Sequence, residues 1–243
     1  MGQILIIFID FESTGLDPTF DRIVEFAALA VVGPIHTQGA SFSTVVGVDP
    51  DFLQNQGTAA AIHGISAEEI MLGPSFSCVW GRFLDFVDHL VNSSLQSNSE
   101  SEDDEDVWSN ATSVILADHP PSVLLAAHNG LRFDFCMLLF ELVRNGLDTA
   151  HLAEWFFLDT LVVVNSMPTS FHAGCTKLQC LVRRSFSSLQ MRAHRALDDC
   201  VVLKIVMEDA AALFGVSLSD FFRRFALQLD IATATVYMNC LVT

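Results

Sequence analysis

With 243 residues, 51% of them apolar, the chain can bury one large core and is too hydrophobic to remain disordered. A formal charge of −17 against only 12 basic residues argues against a broad basic nucleic-acid-binding surface and places most acids on the exterior. Met1 to Asp10 lacks the basic segment and cleavage site of a signal peptide, its apolar run is too short to cross a bilayer, and Ile6 breaks the myristoylation pattern, so an intracellular protein without a membrane partner is expected.

In chain order, ILIIFID is a continuous Ile-rich run ending in an acid, followed by turn residues from Ser13 to Pro18, and reads as a central strand leaving the core. Ile23 to Val32, bounded by Gly33 and Pro34, and Ala40 to Val48 add two further strands in a meander. Pro74 to Val91 has helical spacing, with Val79, Phe83, Phe86, Val87 and Leu90 on one side. From Asn92 to Pro121 polar residues dominate, with six acids in the seven positions from Glu100 to Asp106, so a flexible acidic insertion is expected over 92–121. Ser122 to His128 reads as a buried strand, Asn129-Gly130 as a turn, and Phe133 to Asn145 as a helix stopped by Gly146. Helical patterns follow from near Asp159, over Thr176 to Arg184, over Arg195 to Phe214, and over Ser217 to Leu229, with an apolar tail at 231–243 that fits no element. One α/β domain over 1–243, a mixed sheet flanked by helices, is the expected architecture. Six cysteines without a C-x-x-C pair read as reduced core thiols rather than a zinc site or disulfide framework. Eight of the twelve basic residues lie in the last third of the chain, which softens the objection from net charge, although scattered arginines also serve plain solubility.

Residues two apart on a strand share a face, so Asp10 and Glu12 are presented together. Two adjacent carboxylates repel unless protonated or bridged by a cation, and oxygen-only ligands favour Mg²⁺ or Mn²⁺ over zinc. Asp134 falls in the first turn of a helix after the second buried strand. His194 precedes a long helix with Asp198 and Asp199 in its first turn. Each motif alone has a plain structural reading, namely exposed acids at a strand end or acids complementing a helix dipole. His63 and His128 read as turn or structural histidines rather than metal ligands.

The conjunction of IDFESTGL at Ile9 to Leu16, AHNGLRFDF at Ala127 to Phe135 and HRALDD at His194 to Asp199 resembles the DEDDh (DnaQ-like) family of 3′-to-5′ exonucleases. IHGIS at Ile62 to Ser66 and LDTL at Leu158 to Leu161 are similar to further landmarks of that family, and DRIVEFAALAV is most similar to its proofreading and repair-type DNA exonucleases. The resemblance runs from about Gln3 to Phe214. It implies a ribonuclease-H-like fold and two divalent ions, Mg²⁺ or Mn²⁺, held by Asp10, Glu12, Asp134 and Asp199, with His194 as general base. It further implies that Thr14, Gly15, Leu16 and Ile62 line the pocket for the terminal nucleotide, with His63 and Asn129 in the same substrate-binding set. The family's other branch carries tyrosine one position after the histidine, where this chain has Arg195. Nucleic acid with a free 3′ end, DNA rather than RNA, is the partner implied. An exoribonuclease on short RNA and a non-catalytic binding module are the alternatives. The insertion suggests a basic protein partner. The oligomeric state stays open.

Overall fold

The computed structural model describes residues 3–31, 39–53, 57–96, 120–185 and 195–225. Elements run in the order β1 (Ile4–Ser13), β2 (Ile23–Val31), β3 (Ser41–Val45), α1 (Pro50–Leu53), α2 (Gly57–His63), α3 (Ala67–Leu72), α4 (Phe76–Gln96), β4 (Ser122–Ala127) and α5 (Asp134–Arg144), then α6 (Ala150–Glu154), β5 (Phe156–Asp159), α7 (Thr160–Ser166), α8 (Thr169–His172), α9 (Leu178–Ser185), α10 (Ala196–Ala212) and α11 (Leu218–Arg223). The five strands form one sheet in the order β3-β2-β1-β4-β5. β1 pairs antiparallel with β2 and parallel with β4, so the sheet is mixed, as expected.

β1 reads as an unbroken apolar run because both faces of the sheet are covered. Leu5, Ile7, Ile9 and Phe11 pack with Phe26, Trp80, Phe83 and Phe135 on one face, where α4 and α5 lie. Ile6 and Phe8 pack on the other face with Leu203, Val206 and Phe222 from α10 and α11. Phe8 and Phe222 meet edge-on at 5.9 Å and Phe11 and Phe26 at 4.6 Å, the perpendicular geometry that aromatic quadrupoles favour.

Several boundaries shift from those read in the sequence. α4 runs on to Gln96, so the first residues of the expected insertion are helical. Residues 97–119, which carry the acidic run, and the tail at 231–243 lie outside the described residues. β5, α2, α3 and α6 were not anticipated. The reading of the cysteines is corrected for one pair: Cys175 and Cys180 are joined in a disulfide, because the turn into α9 brings their Cα atoms to 6.0 Å, within bridging range. Cys78 is a free thiol on the exposed side of α4, leaving Cys200 as the fully buried free one among the described residues. The expectation that acids sit outside fails at Glu25, Asp134 and Glu141, all buried. Among the described residues no helix is long and apolar enough to cross a membrane.

Candidate metal centre

β1 outruns its parallel neighbour. The last β1–β4 pair is Phe8 with Ala126, after which β1 continues alongside β2 alone, through Asp10 opposite Ala27 and Glu12 opposite Glu25. β4 meanwhile turns away at Asn129, whose φ of 64° and backbone bond to Asp159 Oδ1 fix the corner, and the chain re-enters as α5 with Asp134 at its first position. Gly130 is required in that corner, since a Cβ there would press on the Phe135 ring and Ala127 at 2.7–2.9 Å. Asp10 and Glu12 extend the Ile6–Phe8 face of the sheet, the face covered by α10. Asp199, one turn into α10, meets them there, and one carboxylate oxygen from each of the three lies within 4.8 Å of the others. The three are partly exposed, whereas Asp134 is buried and its Oδ1 has no partner.

The electrostatics show what this arrangement lacks. Burial, then Asp134, Asp199, Glu12 and Glu25, drive the Asp10 carboxyl well above the ordinary carboxylate value. Glu12 is pushed up to about 8 by burial and by Asp199, Glu25 and Asp134, against a smaller opposing pull from Arg195. Burial pushes Asp134 up to about 7, although the backbone N–H groups of Asp134 and Phe11 resist the rise. Groups with these proton affinities beside one another either hold protons or share a cation. All the donors are carboxylate oxygens, and a buried one is unused. That set fits a hard divalent cation and not a soft thiophilic one.

Two buried acids close by behave differently. Glu25, on β2 opposite Glu12, accepts from Arg195 Nη2 at 2.7 Å and Nε at 3.1 Å, and its Oε2 accepts the Ala196 N–H at 3.1 Å. Glu141 on α5 accepts from Arg22 Nε and Nη2 at 2.6 and 2.9 Å, from Arg144, and from the Ile23 N–H. Asp159 receives the N–H groups of Asn129, Leu131 and Leu161, so it braces the corner that delivers Asp134. No motif singles out Glu25 or Glu141. The available signal was a lone acid within an otherwise apolar strand or helix face.

Of the residues assigned to substrate, Leu16 and Ile62 are 82% and 55% exposed, an unusual position for such side chains unless something apolar lies against them. Thr14 is buried instead, its hydroxyl donating to Asp21 Oδ1 at 2.8 Å and accepting the Arg22 N–H, and its own N–H donates to the Arg22 carbonyl at 2.9 Å, so this residue closes the loop. Gly15 lies against the Asp21 carboxylate, into which a Cβ would run. His63 is buried with Nδ1 accepting the Ile65 N–H and Nε2 unpartnered; burial lowers its pKa, and Glu25 and Arg195 are its charged neighbours. His128 is structural as expected, held by Thr160 Oγ1 at 3.0 Å and the Thr176 carbonyl at 2.9 Å. His194 lies outside the described residues, one position before Arg195.

Residues 7–103 match the family described as Exonuclease. The chain is 28% identical over 236 residues to Exonuclease DPD1, chloroplastic/mitochondrial, of Arabidopsis thaliana, covering 94% of this chain and 63% of that protein. Among solved structures, E. coli exonuclease I in complex with a dT13 oligonucleotide superposes with a TM-score of 0.59 at 18% identity, covering 85% of this chain and 41% of that one. A zinc-bound form of the E. coli enzyme with single-stranded DNA gives 0.60 at 17% identity, over 85% and 40%. The fold is thus the ribonuclease-H-like one expected, and this chain spans less than two thirds of the length of each of these relatives.

Proposed function

We propose that this chain, similar to exonucleases in its family match and in its Arabidopsis relative, is a DEDDh-type, metal-dependent 3′-to-5′ exonuclease that releases nucleoside monophosphates from the 3′ end of DNA. The observation that carries the reading is the meeting of Asp10, Glu12 and Asp199 beside the buried, half-satisfied Asp134.

Asp10, Glu12, Asp134 and Asp199 are the residues that would hold two divalent ions, Mg²⁺ or Mn²⁺. When bound, such ions supply an acidified water and relief of the charge that builds on the leaving oxygen. The protein's own residues do the rest. His194, by resemblance, takes a proton from the attacking water, a task suited to a group whose ordinary pKa lies near neutrality. Leu16 and Ile62, exposed at the rim, pack against the terminal base. The loop that carries Leu16 is tethered to α5, because Arg144 donates to the Pro18, Thr19 and Asp21 carbonyls. His63 and Asn129 complete the substrate side of the site in this reading.

The test is digestion of labelled single-stranded DNA, duplex DNA and RNA, side by side, with Mg²⁺ or Mn²⁺ and with chelator. Mononucleotide release from the 3′ end of DNA in metal alone is the expected result. Preference for short RNA would move the substrate assignment to the exoribonuclease alternative, and no cleavage of any polymer would overturn the reading.

A further inference from the structure

Glu25 is a fifth acid at a site that already has too many. It is 2% exposed, it faces Glu12 directly across the β1–β2 pair, and its charge is felt at Asp10 and Glu12. A buried carboxylate beside four others raises their mutual repulsion, so its presence calls for a separate account. Its oxygens are already committed. Three hydrogen bonds from the Arg195 guanidinium at 2.7–3.2 Å and one from the Ala196 N–H saturate it and leave little for a metal.

Those four bonds act at one place, the start of α10. Arg195 occupies the N-cap position but its side chain caps nothing. Glu25, from β2, takes the Ala196 N–H, one of the donors that a helix start leaves without an intrahelical partner, and places a negative charge at the positive end of a 17-residue helix. The fork of the guanidinium adds direction to that contact, because two parallel N–H groups on one carboxylate fix orientation as well as distance. The Asp199 N–H closes the first helical turn onto the Arg195 carbonyl at 3.0 Å. The register of Asp199 therefore follows from the position of Arg195 and Ala196. In turn, the bond to Glu25 sets their position relative to β1 and β2.

We propose that the Glu25–Arg195 pair is a clamp that fixes the start of α10 against β2 and thereby places Asp199 opposite Asp10 and Glu12, making Glu25 and Arg195 positioning residues of the metal centre. The proposal rests on the nuclease reading only for its consequence in turnover; its effect on metal binding stands on the geometry alone. The clamp is distinguishable from simple electrostatics. Loss of the Glu25 charge should weaken cation binding and loss of the Arg195 charge should strengthen it if charge alone matters, whereas a clamp fails in the same direction from either side.

The experiment is a Mn²⁺ titration, read by thermal stabilisation, of the wild type, Glu25→Gln, Arg195→Gln and the double variant. Turnover of a 3′-labelled oligonucleotide is measured in parallel. Each single variant should raise the half-saturating Mn²⁺ concentration by roughly ten- to a hundredfold, the usual cost of losing a group that orients a ligand. The double variant should be no worse than either single, since both remove one interaction. In turnover, kcat at limiting Mn²⁺ should fall and recover with excess Mn²⁺ while KM for the oligonucleotide stays unchanged. Tighter Mn²⁺ binding by Arg195→Gln would overturn the clamp, as would lowered melting temperatures with wild-type Mn²⁺ affinity. If Glu25→Gln does not fold, Arg195→Gln decides, because that side chain is 44% exposed and leaves no cavity. A wild type that binds Mn²⁺ but cleaves nothing would overturn the nuclease reading, with the clamp still judged on the binding curves; a wild type that takes up no Mn²⁺ would overturn both.

Discussion

The chain treats buried Glu141 and the acids gathered around buried Asp134 in opposite ways. Glu141 is enclosed by Arg22, Arg144, the Ile23 N–H and the Asn145 side chain, so its charge is answered entirely by groups the sequence provides. Asp10, Glu12, Asp134 and Asp199 face one another, and the cation that bears on Glu12, Arg195, is already bound to Glu25. A buried acid with its own partners holds the structure together. Acids that crowd one another, so that burial and mutual repulsion push their carboxyls up, are relieved when something positive arrives, and that contrast separates a structural ion pair from a site.

The comparison breaks most visibly in the response to neutral substitutions. Asp10→Asn or Asp199→Asn should reduce hydrolysis to the assay background, as chelator should, while the metal-free fold is kept or made more stable because repulsion is relieved. Glu141→Ala should do the reverse, destabilising by about 3–5 kcal/mol through stranded arginines while leaving metal affinity near that of the wild type. Melting curves and end-labelled digestion of the three variants measure both halves. An Asp199→Asn protein with full activity contradicts the metal mechanism.

His194→Ala should lower turnover by roughly 10²–10⁴-fold, the usual contribution of a general base, with a much smaller effect on metal affinity. The acidic limb of the pH–rate profile should change with it. An unchanged rate near neutral pH would assign His194 to structure.

The pH dependence of stability sharpens the contrast further. Glu12 rises from 4.5 to about 8 and Asp134 from 3.8 to about 7 on folding. Because the folded values are the higher ones, the metal-free fold binds more protons than the unfolded chain between them. Its stability is greatest below about pH 4 on this account and is lost as pH rises towards 8. Saturating Mg²⁺ or Mn²⁺ should flatten that decline, because the carboxylates can then ionise without repelling one another. Melting temperature against pH, with and without metal, measures it; parallel curves would mean that the cation does not meet these groups.

The strands that carry the chemistry were legible because β1 and β4 are buried on both faces, and such strands show as continuous apolar runs. Asp10 and Glu12 stood out at the end of one of them. The same burial hid β5: FFLD is four residues long and merges into the apolar pattern of α7, so no change of period marks it. Glu25 and Glu141 were invisible for a different reason. Their roles depend on arginines 170 and 119 residues away, and no local pattern encodes such a partner. The substrate role of Thr14 is implied by the resemblance alone, and no local pattern shows that its hydroxyl is engaged with Asp21. The Cys175–Cys180 pair was missed because its bridge depends on the turn ahead of α9 and not on a spacing rule.

The smallest expected effect concerns the acidic run, which lies outside the described residues and is argued from composition. Deleting residues 97–109 should leave a folded protein, since six acids in seven positions offer nothing to bury. It should tighten oligonucleotide binding by a catalytically inactive variant at low salt, with the gain fading as the Debye length falls to roughly 8 Å at physiological ionic strength. Weaker binding after deletion would make the segment part of the site.

The central claim, that these four carboxylates form a cation site, is tested most directly by calorimetric titration of Mn²⁺ into the metal-free protein at pH 7, in two buffers of different ionisation enthalpy. The account predicts saturable binding with net proton release, because groups lifted to about 7 and 8 must give up protons to become ligands, and loss of that binding in Asp10→Asn. Heat that is the same in both buffers, or binding that survives the substitution, would contradict it.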